Sequence, residues 1–369
     1  MSGIVIVGGG PAGAAAAIRL ARGGLRPLVL EREAGPHDKI CGEFVSTEAR
    51  AHLAALGLDL AALGAAPITH VRVASAARQV QARLPFQALG LSRRRLDQAL
   101  IEQARAAGAE VAAGVAARSV GCHGVETAQG ALAARAILLA SGKHEVRGAR
   151  RAAPGAMRGA VGFKSHFRIP ESQRRELGGF VEIVLFDGGY AGLQLVEGGV
   201  ANLCLLVSHA RFAADGRSWP RLFDALLAEP HLARRLGDAQ PSTPRPLTIA
   251  DVPYGFVVSA CDAPRGEFRL GDQAAVIPSF SGDGVAIALH SAQLAARAVL
   301  EGAGAAAYHA RLRRDVRRQV ALAAWLQRRL QGWPGRDAAL AAARLWPPVL
   351  ARLAAWTRLA PAALRGAGV

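Results

Sequence analysis

The sequence predicts an α/β protein in which a parallel sheet is interrupted by an antiparallel one and followed by a run of helices. Three observations predict it. The chain opens on a buried strand-like run, Ile4–Val7, that passes at once into a glycine-rich turn and an alanine-rich helical stretch. From about residue 160, four short strand-like segments follow one another between glycine turns, as in an antiparallel meander. A strand–turn–helix pattern then returns at residues 268–300, and everything after residue 300 reads as helix. A parallel texture that gives way and resumes implies one domain built from separated stretches, with the second sheet as an excursion from it.

The elements follow in order. After the turn Gly8-Gly9-Gly10-Pro11-Ala12-Gly13, a helix over residues 14–23 has small side chains, Ala14 to Ala17, where it must approach a sheet closely. A second strand spans 27–30 and a long loop spans 32–46. A helix over 47–56 leads to strands near 68–73 and 79–84. Ser92 is a candidate N-cap for a helix whose apolar positions Leu96, Ala99, Leu100 and Ala104 recur at helical spacing. Buried strands are expected at 111–113 and 136–140, and the meander at 161–167, 181–186, 191–196 and 201–207. The expected division is a discontinuous first domain (1–67, 91–155 and 255–300), a second domain (68–90 and 156–254) and a helical region (301–369).

Composition limits the class. With 369 residues and 51% apolar content, the chain can fill a large core. No apolar run is long enough to span a bilayer, because the best stretch, 338–359, is broken by Arg344, Pro347, Pro348, Arg352 and Arg358. Met1 runs straight into the first strand, so no secretion signal is expected, and the reading is cytoplasmic, with attachment at the cytoplasmic membrane face as a variant. Four cysteines (Cys41, Cys122, Cys204, Cys261) lack metal-ligand spacing, so neither a disulfide framework nor a metal site is expected. The net charge of +17 comes from 42 arginines and only three lysines, Lys39, Lys143 and Lys164, a bias that can arise from base composition. Aromatics total 5% and do not interleave with basic runs, which argues against nucleic-acid binding.

The glycine turn satisfies G-x-G-x-x-G in its required context: a strand before, a helix after, and Glu31 at the end of the second strand. Gly8 permits the tight turn, Gly10 lets backbone approach a pyrophosphate, and Gly13 lets helix and sheet pack. The helix that opens at Pro11 offers unpaired N–H groups to phosphates from Ala12 onward, and Glu31, with Arg32 beside it, faces a ribose. This is a Rossmann-like dinucleotide site. A later segment decides between dinucleotides: Gly271-Asp272 follows a strand, and Pro278…Gly282-x-Gly284 opens a long helix. Asp272 is placed to hold a ribitol, and the helix N-terminus at Gly284 would face the pyrimidine edge of a flavin, where reduction develops negative charge. FAD is therefore the expected cofactor.

The fingerprint, Arg93-x-x-Leu-Asp97 and the Gly271–Gly284 segment together resemble the para-hydroxybenzoate-hydroxylase-like flavoproteins over about residues 1–300. Within them, Pro36-His37-Asp38-Lys39-Ile40-Cys41-Gly42-Glu43 looks like the P-x-x-K-x-C-G segment of the geranylgeranyl-reductase branch. The resemblance implies that Arg93 lies near the FAD phosphates, Asp272 near the ribitol, Pro278 to Gly284 beside the isoalloxazine, and Cys41 beside the flavin. Two departures count against a hydroxylase: Ser141 stands where an Asp is usual, and Gln273-Ala274-Ala275-Val276 lacks the usual His. The W-x-W-x-I-P segment of flavin halogenases is missing, which counts against halogenation.

Cys41 and Glu43 are the catalytic candidates. Lys39 near the thiol would favour a thiolate, though Cys41 could equally be a small side chain shaping the loop, and Glu43 a solvated loop carboxylate. Lys164 and His166 share one face of a strand, opposite Phe163 and Phe167, and either line a substrate cavity or form a wet sheet face. Tyr190 either caps that cavity or packs on the sheet, while Cys122, Cys204 and Cys261 read as core or loop. Residues 301–369 hold 12 arginines against three acids and four of the five tryptophans. That suits an anionic membrane surface, or helices packed on the core with arginines outward. The expected function is FAD-dependent reduction of C=C bonds in a lipophilic isoprenoid- or polyketide-like substrate. The alternative is monooxygenation of a hydrophobic aromatic or polyketide. No second nucleotide fingerprint exists, so NAD(P)H or a protein electron carrier would donate transiently.

Overall fold

Four branched apolar residues in a row, with no polar face, can form only a strand covered on both sides. Ile4–Val7 is such a strand, fully buried at the centre of a five-stranded sheet. The computed structural model describes residues 3–76, 78–259, 266–330 and 333–368, so Cys261 lies outside the described residues. The strand order is Glu267–Arg269, Ala136–Leu139, Ile4–Val7, Leu28–Glu31, Glu110–Ala113, and every pairing is parallel. The fingerprint helix Pro11–Arg22 and the helix Gly284–Leu300 pack against each other beside this sheet. Ala14 to Ala17 are completely buried in that contact, the close approach that their size predicts. Ser92 caps the helix Arg93–Ala106, its hydroxyl accepting from the Arg95 N–H at 3.2 Å.

The second sheet has nine strands. The meander strands Ala160–Arg168, Gly179–Phe186, Gly189–Leu195 and Ala201–Ser208 lie within it. Gly179–Phe186 also pairs in parallel with Ala66–Ser75, which pairs antiparallel with Arg78–Gly90. The sheet is therefore mixed where a purely antiparallel one was expected, because the strand at 66–75 enters from the first domain's side and runs alongside rather than against its neighbour. Several elements escaped the sequence reading. Phe44–Val45, inside the expected loop, pairs with the far end of Arg78–Gly90. A three-stranded antiparallel sheet spans Ala117–Gly121, Gly124–Thr127 and Gly130–Ala133. Short helices 171–177, 209–214, 219–226 and 230–236 cover the outer face, with Phe163 and Phe167 packed against Phe212, Trp219 and Phe223.

The tail is helical as expected: Ala305–Leu330, Trp333–Leu345, Pro348–Trp356 and Pro361–Ala367. Trp333–Leu345 and Pro348–Trp356 fold back over Arg78–Gly90, and Pro361–Ala367 packs on Gly284–Leu300. No helix among the described residues is long and apolar enough to cross a membrane.

Candidate functional site

The fingerprint is held by backbone geometry before any ligand is considered. Gly8 has φ +105° and donates its N–H to the Leu30 carbonyl at 2.8 Å. A Cβ on Gly13 would stand 1.8 Å from the Gly8 carbonyl oxygen, so only glycine lets the helix leave the turn here. Glu31 closes the turn from the other side, accepting the Gly9 N–H at 2.8 Å and the Glu33 N–H at 3.2 Å. No side chain caps the helix at Gly10, which leaves its first N–H groups directed into the site.

Two cations flank that terminus. A Cβ on Gly10 would lie 3.3 Å from Arg93 Nη2 and 3.9 Å from Lys39 Nζ. Asp97 orients both, meeting Arg93 Nε and Nη2 at 2.8 Å each and Lys39 at 3.0 Å. Burial works against the Arg93 charge, but Asp97 more than offsets it and keeps the guanidinium firmly protonated. Burial likewise raises Asp97, and Arg93 and Lys39 outweigh it, holding the carboxyl below its ordinary range. Arg32 lies further out, paired with Glu33 at 3.2 Å and 3.3 Å from His144 Nε2.

The opposite end of the site is built from the second glycine segment. Gly271 has φ +56° and Gly282 φ +70°, and a Cβ on Gly282 would press on the Phe44 ring at 2.8 Å. Asp272 pairs with Lys143 Nζ at 3.1 Å, and Lys143 also donates to the Ile40 carbonyl at 3.3 Å. Burial opposes the Lys143 charge, but Asp272 overrides it and raises the ammonium above its usual value. Arg151 braces this corner, donating to the carbonyls of Asp272 (2.7 Å) and Lys143 (2.9 Å). Asp283, at the N-cap of Gly284–Leu300, is buried and accepts from Ser46 (3.1 Å), Arg358 (3.2 Å) and Gln319 (3.3 Å). Burial pushes its carboxyl up to about 7 against the pull of Arg358.

Between these ends stands the loop carrying Cys41. Glu43 has φ +59°, a strained value for a residue with a side chain, and is completely buried. Its carboxylate binds Lys164, the His166 Nε2 at 2.7 Å and the Arg93 N–H at 2.8 Å. Asp38 lies 3.7 Å from Lys164 and 3.8 Å from His166. Burial alone would raise the Glu43 carboxyl, but His166 and Lys164 hold it below the carboxylate range. Asp38, Glu43 and His166 could in geometry ligate a cation, but the Lys164 ammonium already supplies that charge. Asn202 donates to the Gly42 carbonyl at 2.9 Å and Gln194 to the Glu43 carbonyl at 2.8 Å, fastening the loop to the sheet.

Several expectations need correction here. Glu43 is no solvated carboxylate, because Lys164, His166 and a helix N–H supply what water would have supplied. Lys164 and His166 are neither a wet face nor part of the cavity wall. They stand behind the Cys41 loop, which covers their strand, and Lys164 is only 2% exposed. Lys39 is drawn away to Asp97, and the guanidinium of Arg93 is the cation that acts on Cys41. Cys204 is not merely core: it lines the cavity, its thiol pushed up to about 12 by burial and the nearby Cys41. Cys122 is exposed on the surface.

One cavity of about 730 Å³ joins these parts. It runs from Glu31, Arg32 and Val115–Ala117, past Gly10, Pro11, Ala12 and Arg93, to Asp272 and the Val276–Gly284 segment. Beyond Cys41 it widens into an apolar chamber with Val71, Val73, Leu84, Val181 and Ile183 on one wall and Leu340, Leu350 and Leu353 on the other. Tyr190 lines the junction, its ring edge-on to Phe280 and its hydroxyl accepting the Phe280 N–H at 3.2 Å. Tyr254, which the sequence reading passed over, shares a 2.9 Å hydrogen bond with Ser279 beside it. Arg358 was also missed, since nothing local marks it: it donates to the Ser281 carbonyl at 2.6 Å, between the rings of Phe44 and Phe86.

These residues fit FAD. An elongated channel carries a helix N-terminus with two cations, then an acid–lysine pair, and then a second helix N-terminus at the flavin end. Gly8, Gly10, Pro11, Ala12, Gly13, Glu31, Arg32 and Arg93 would hold the adenosine diphosphate half; Gly271, Asp272, Pro278, Gly282 and Gly284 would hold the flavin half.

Comparison with known proteins agrees. A family model described as an FAD binding domain matches residues 1–147. No curated protein matches the chain significantly by sequence. Among solved structures, the flavin-dependent brominase Bmp2 superposes with TM-score 0.73 at 19% identity, covering 99% of this chain and 98% of its own. A geranylgeranyl bacteriochlorophyll reductase-like protein from Thermoplasma acidophilum gives 0.72 at 18% identity, covering 99% and 94%. The myxobacterial chondrochloren halogenase CndH gives 0.72 at 19% identity, covering 99% and 95%. At such identities the likeness shows the fold. The matched N-terminal domain, together with the built dinucleotide channel, marks the chain as an FAD-binding protein of this fold.

Proposed function

We propose that the protein reduces carbon–carbon double bonds of a lipophilic, isoprenoid- or polyketide-like substrate. The observation that carries this reading is the continuity of the channel with a chamber at the flavin end walled mainly by aliphatic side chains, with Cys41, Tyr190, Tyr254 and Ser279 among its polar groups. Bound and reduced, FAD supplies the hydride equivalent such a reduction needs. The chain's own residues have the remaining tasks, which are to seat an apolar substrate, exclude water and deliver one proton. Cys41 is the proton source in this reading, since its thiol faces the cavity and accepts the Glu43 N–H at 3.3 Å. Glu43, ionised and bound on three sides, is a positioning residue that sets the Cys41 loop against the sheet.

Electrons come from a transient donor, either NAD(P)H or an acidic carrier protein drawn by the basic surface. Ser141, where hydroxylases of this group carry an acid, bonds its hydroxyl to the His144 carbonyl at 2.9 Å. This favours the carrier. Anaerobic stopped-flow reduction by NADH, NADPH and a reduced flavodoxin compares the donors. Rapid saturable reduction by NADPH alone would exclude the carrier.

The reaction itself is tested with chemically reduced enzyme and a polyprenyl substrate in deuterated water, with and without labelled oxygen. Ene reduction gives anaerobic product with two solvent-derived deuteriums, one on each carbon of the reduced bond, because the hydride position of reduced flavin exchanges with solvent as the proton donor does. Product that carries oxygen from O2 would overturn it in favour of a monooxygenase.

A further inference from the structure

The helix Pro348–Trp356 presents two apolar faces, of which only one has an internal partner. Val349, Leu350, Leu353 and Ala354 line the chamber. The opposite side carries Arg352, Ala355 and Trp356 at helical spacing, all exposed. The corner that joins this helix to Trp333–Leu345 adds Leu345, 88% exposed, and Trp346, 43% exposed, while Trp356 is 62% exposed. Isolated exposed apolar residues are ordinary, but a leucine and two tryptophans within one stretch of twelve residues are not. Arg352 lies over the Trp346 ring at 4.3 Å, so the aromatic and the charge present one surface. Exposed Arg344 extends it, and no Asp or Glu occurs after Asp337.

We propose that this hairpin corner, Arg344 to Trp356, docks on an anionic lipid surface. Indole rings seated at the headgroup level with arginines beside them are the chemistry of an interfacial helix, and an acid-free cationic face complements anionic headgroups. The structure moves the contact away from the arginine-rich stretch at 311–318. There Leu312 and Val316 are buried, and Arg311 and Arg313 are spent on the carbonyls of Gly366 and Val257. One helix diameter, about 10 Å, then separates the lipid from the chamber. The wall that meets the membrane is thus the wall past which a lipophilic substrate enters. That last step rests on the proposed reaction; the docking does not.

The test uses the FAD-loaded full-length protein and sedimentation with vesicles of phosphatidylcholine alone or of equal parts phosphatidylcholine and phosphatidylglycerol. Binding is expected only to the anionic vesicles, with a blue shift of tryptophan emission and weakening by salt. Trp346→Ser and Trp356→Ser should each lower the partition coefficient about tenfold, since roughly half of an indole leaves water. FAD content and melting temperature should stay unchanged, because both side chains are exposed. Failure to bind anionic vesicles, or equal binding by the double variant, overturns the proposal. So does a dimer that the double variant abolishes, which would make the corner a protein interface. Turnover of a detergent-dispersed substrate is measured separately, so a failed reaction reading leaves the docking result intact.

Discussion

Gly10→Ala separates cofactor binding from folding. The native Gly10 has φ −72° and ψ −173°, which alanine adopts freely, and the new methyl meets no backbone. Its nearest neighbour is the far end of Arg93 at 3.3 Å, which can move. The methyl occupies the space that the helix N–H groups, Arg93 and Lys39 converge on, where the pyrophosphate would sit. Two charge-assisted hydrogen bonds of about 1.5–3 kcal/mol each are at stake. If readjustment preserves half, the loss is about 1.5–3 kcal/mol, or roughly 10- to 150-fold in Kd. Titration of apoprotein with FAD, followed by flavin fluorescence quenching, reads the affinity, and apoprotein melting reads the fold. Gly13→Ala is the contrasting variant: its methyl would meet the Gly8 carbonyl at 1.8 Å, so the apoprotein itself should be destabilised. An unchanged Kd in Gly10→Ala, or a lowered apoprotein Tm equal to that of Gly13→Ala, would refute the placement of the phosphates.

Asp272→Ala should weaken FAD by one to two decades, the worth of about one charge-assisted hydrogen bond, with the apoprotein Tm little changed; unaltered affinity would mean the acid does not meet the ribitol. Glu182, buried against Arg72, His231 and Arg235, is held at about 2 although burial raises it. Its folded value lies below the unfolded 4.5, so its contribution is complete above pH 4.5 and disappears as pH falls toward 2. The shift of 4.5 minus 2 corresponds to about 3 kcal/mol. Glu182→Gln should lose about that at neutral pH and show a flatter acid limb in urea unfolding; a parallel acid limb would refute the linkage. Glu43→Gln leaves the buried Lys164 ammonium without its carboxylate and should cost about 3–5 kcal/mol. Glu43→Gln with Lys164→Met should recover a large part of it, and simple additivity of the two losses would show that they do not act as a pair.

Much of the molecule was legible locally. A β-branched run, a glycine turn and an alanine helix can form only one unit, and the meander strands announce themselves between their glycines. Phe44–Val45 was hidden because two residues carry no period, and the 66–75 strand's parallel partner was hidden because pairing direction leaves no mark on a strand's own alternation. The site divides in the same way. The glycines and Asp272 were readable because backbone conformation restricts residue type at each position. The side chains that complete the site join distant segments: Glu43 meets Lys164 across 121 residues and His166 across 123, and Arg358 meets Asp283 across 75. A charged residue can pair with any opposite charge the fold brings near, so its sequence position does not name its partner. Sequence alone determined that this chain cradles a dinucleotide on a parallel sheet, because that depends on local backbone geometry. Only the tertiary structure decided that the Cys41 loop is clamped from behind by buried ions and that the C-terminal helices wall the chamber, because burial and long-range contact are properties of the folded chain.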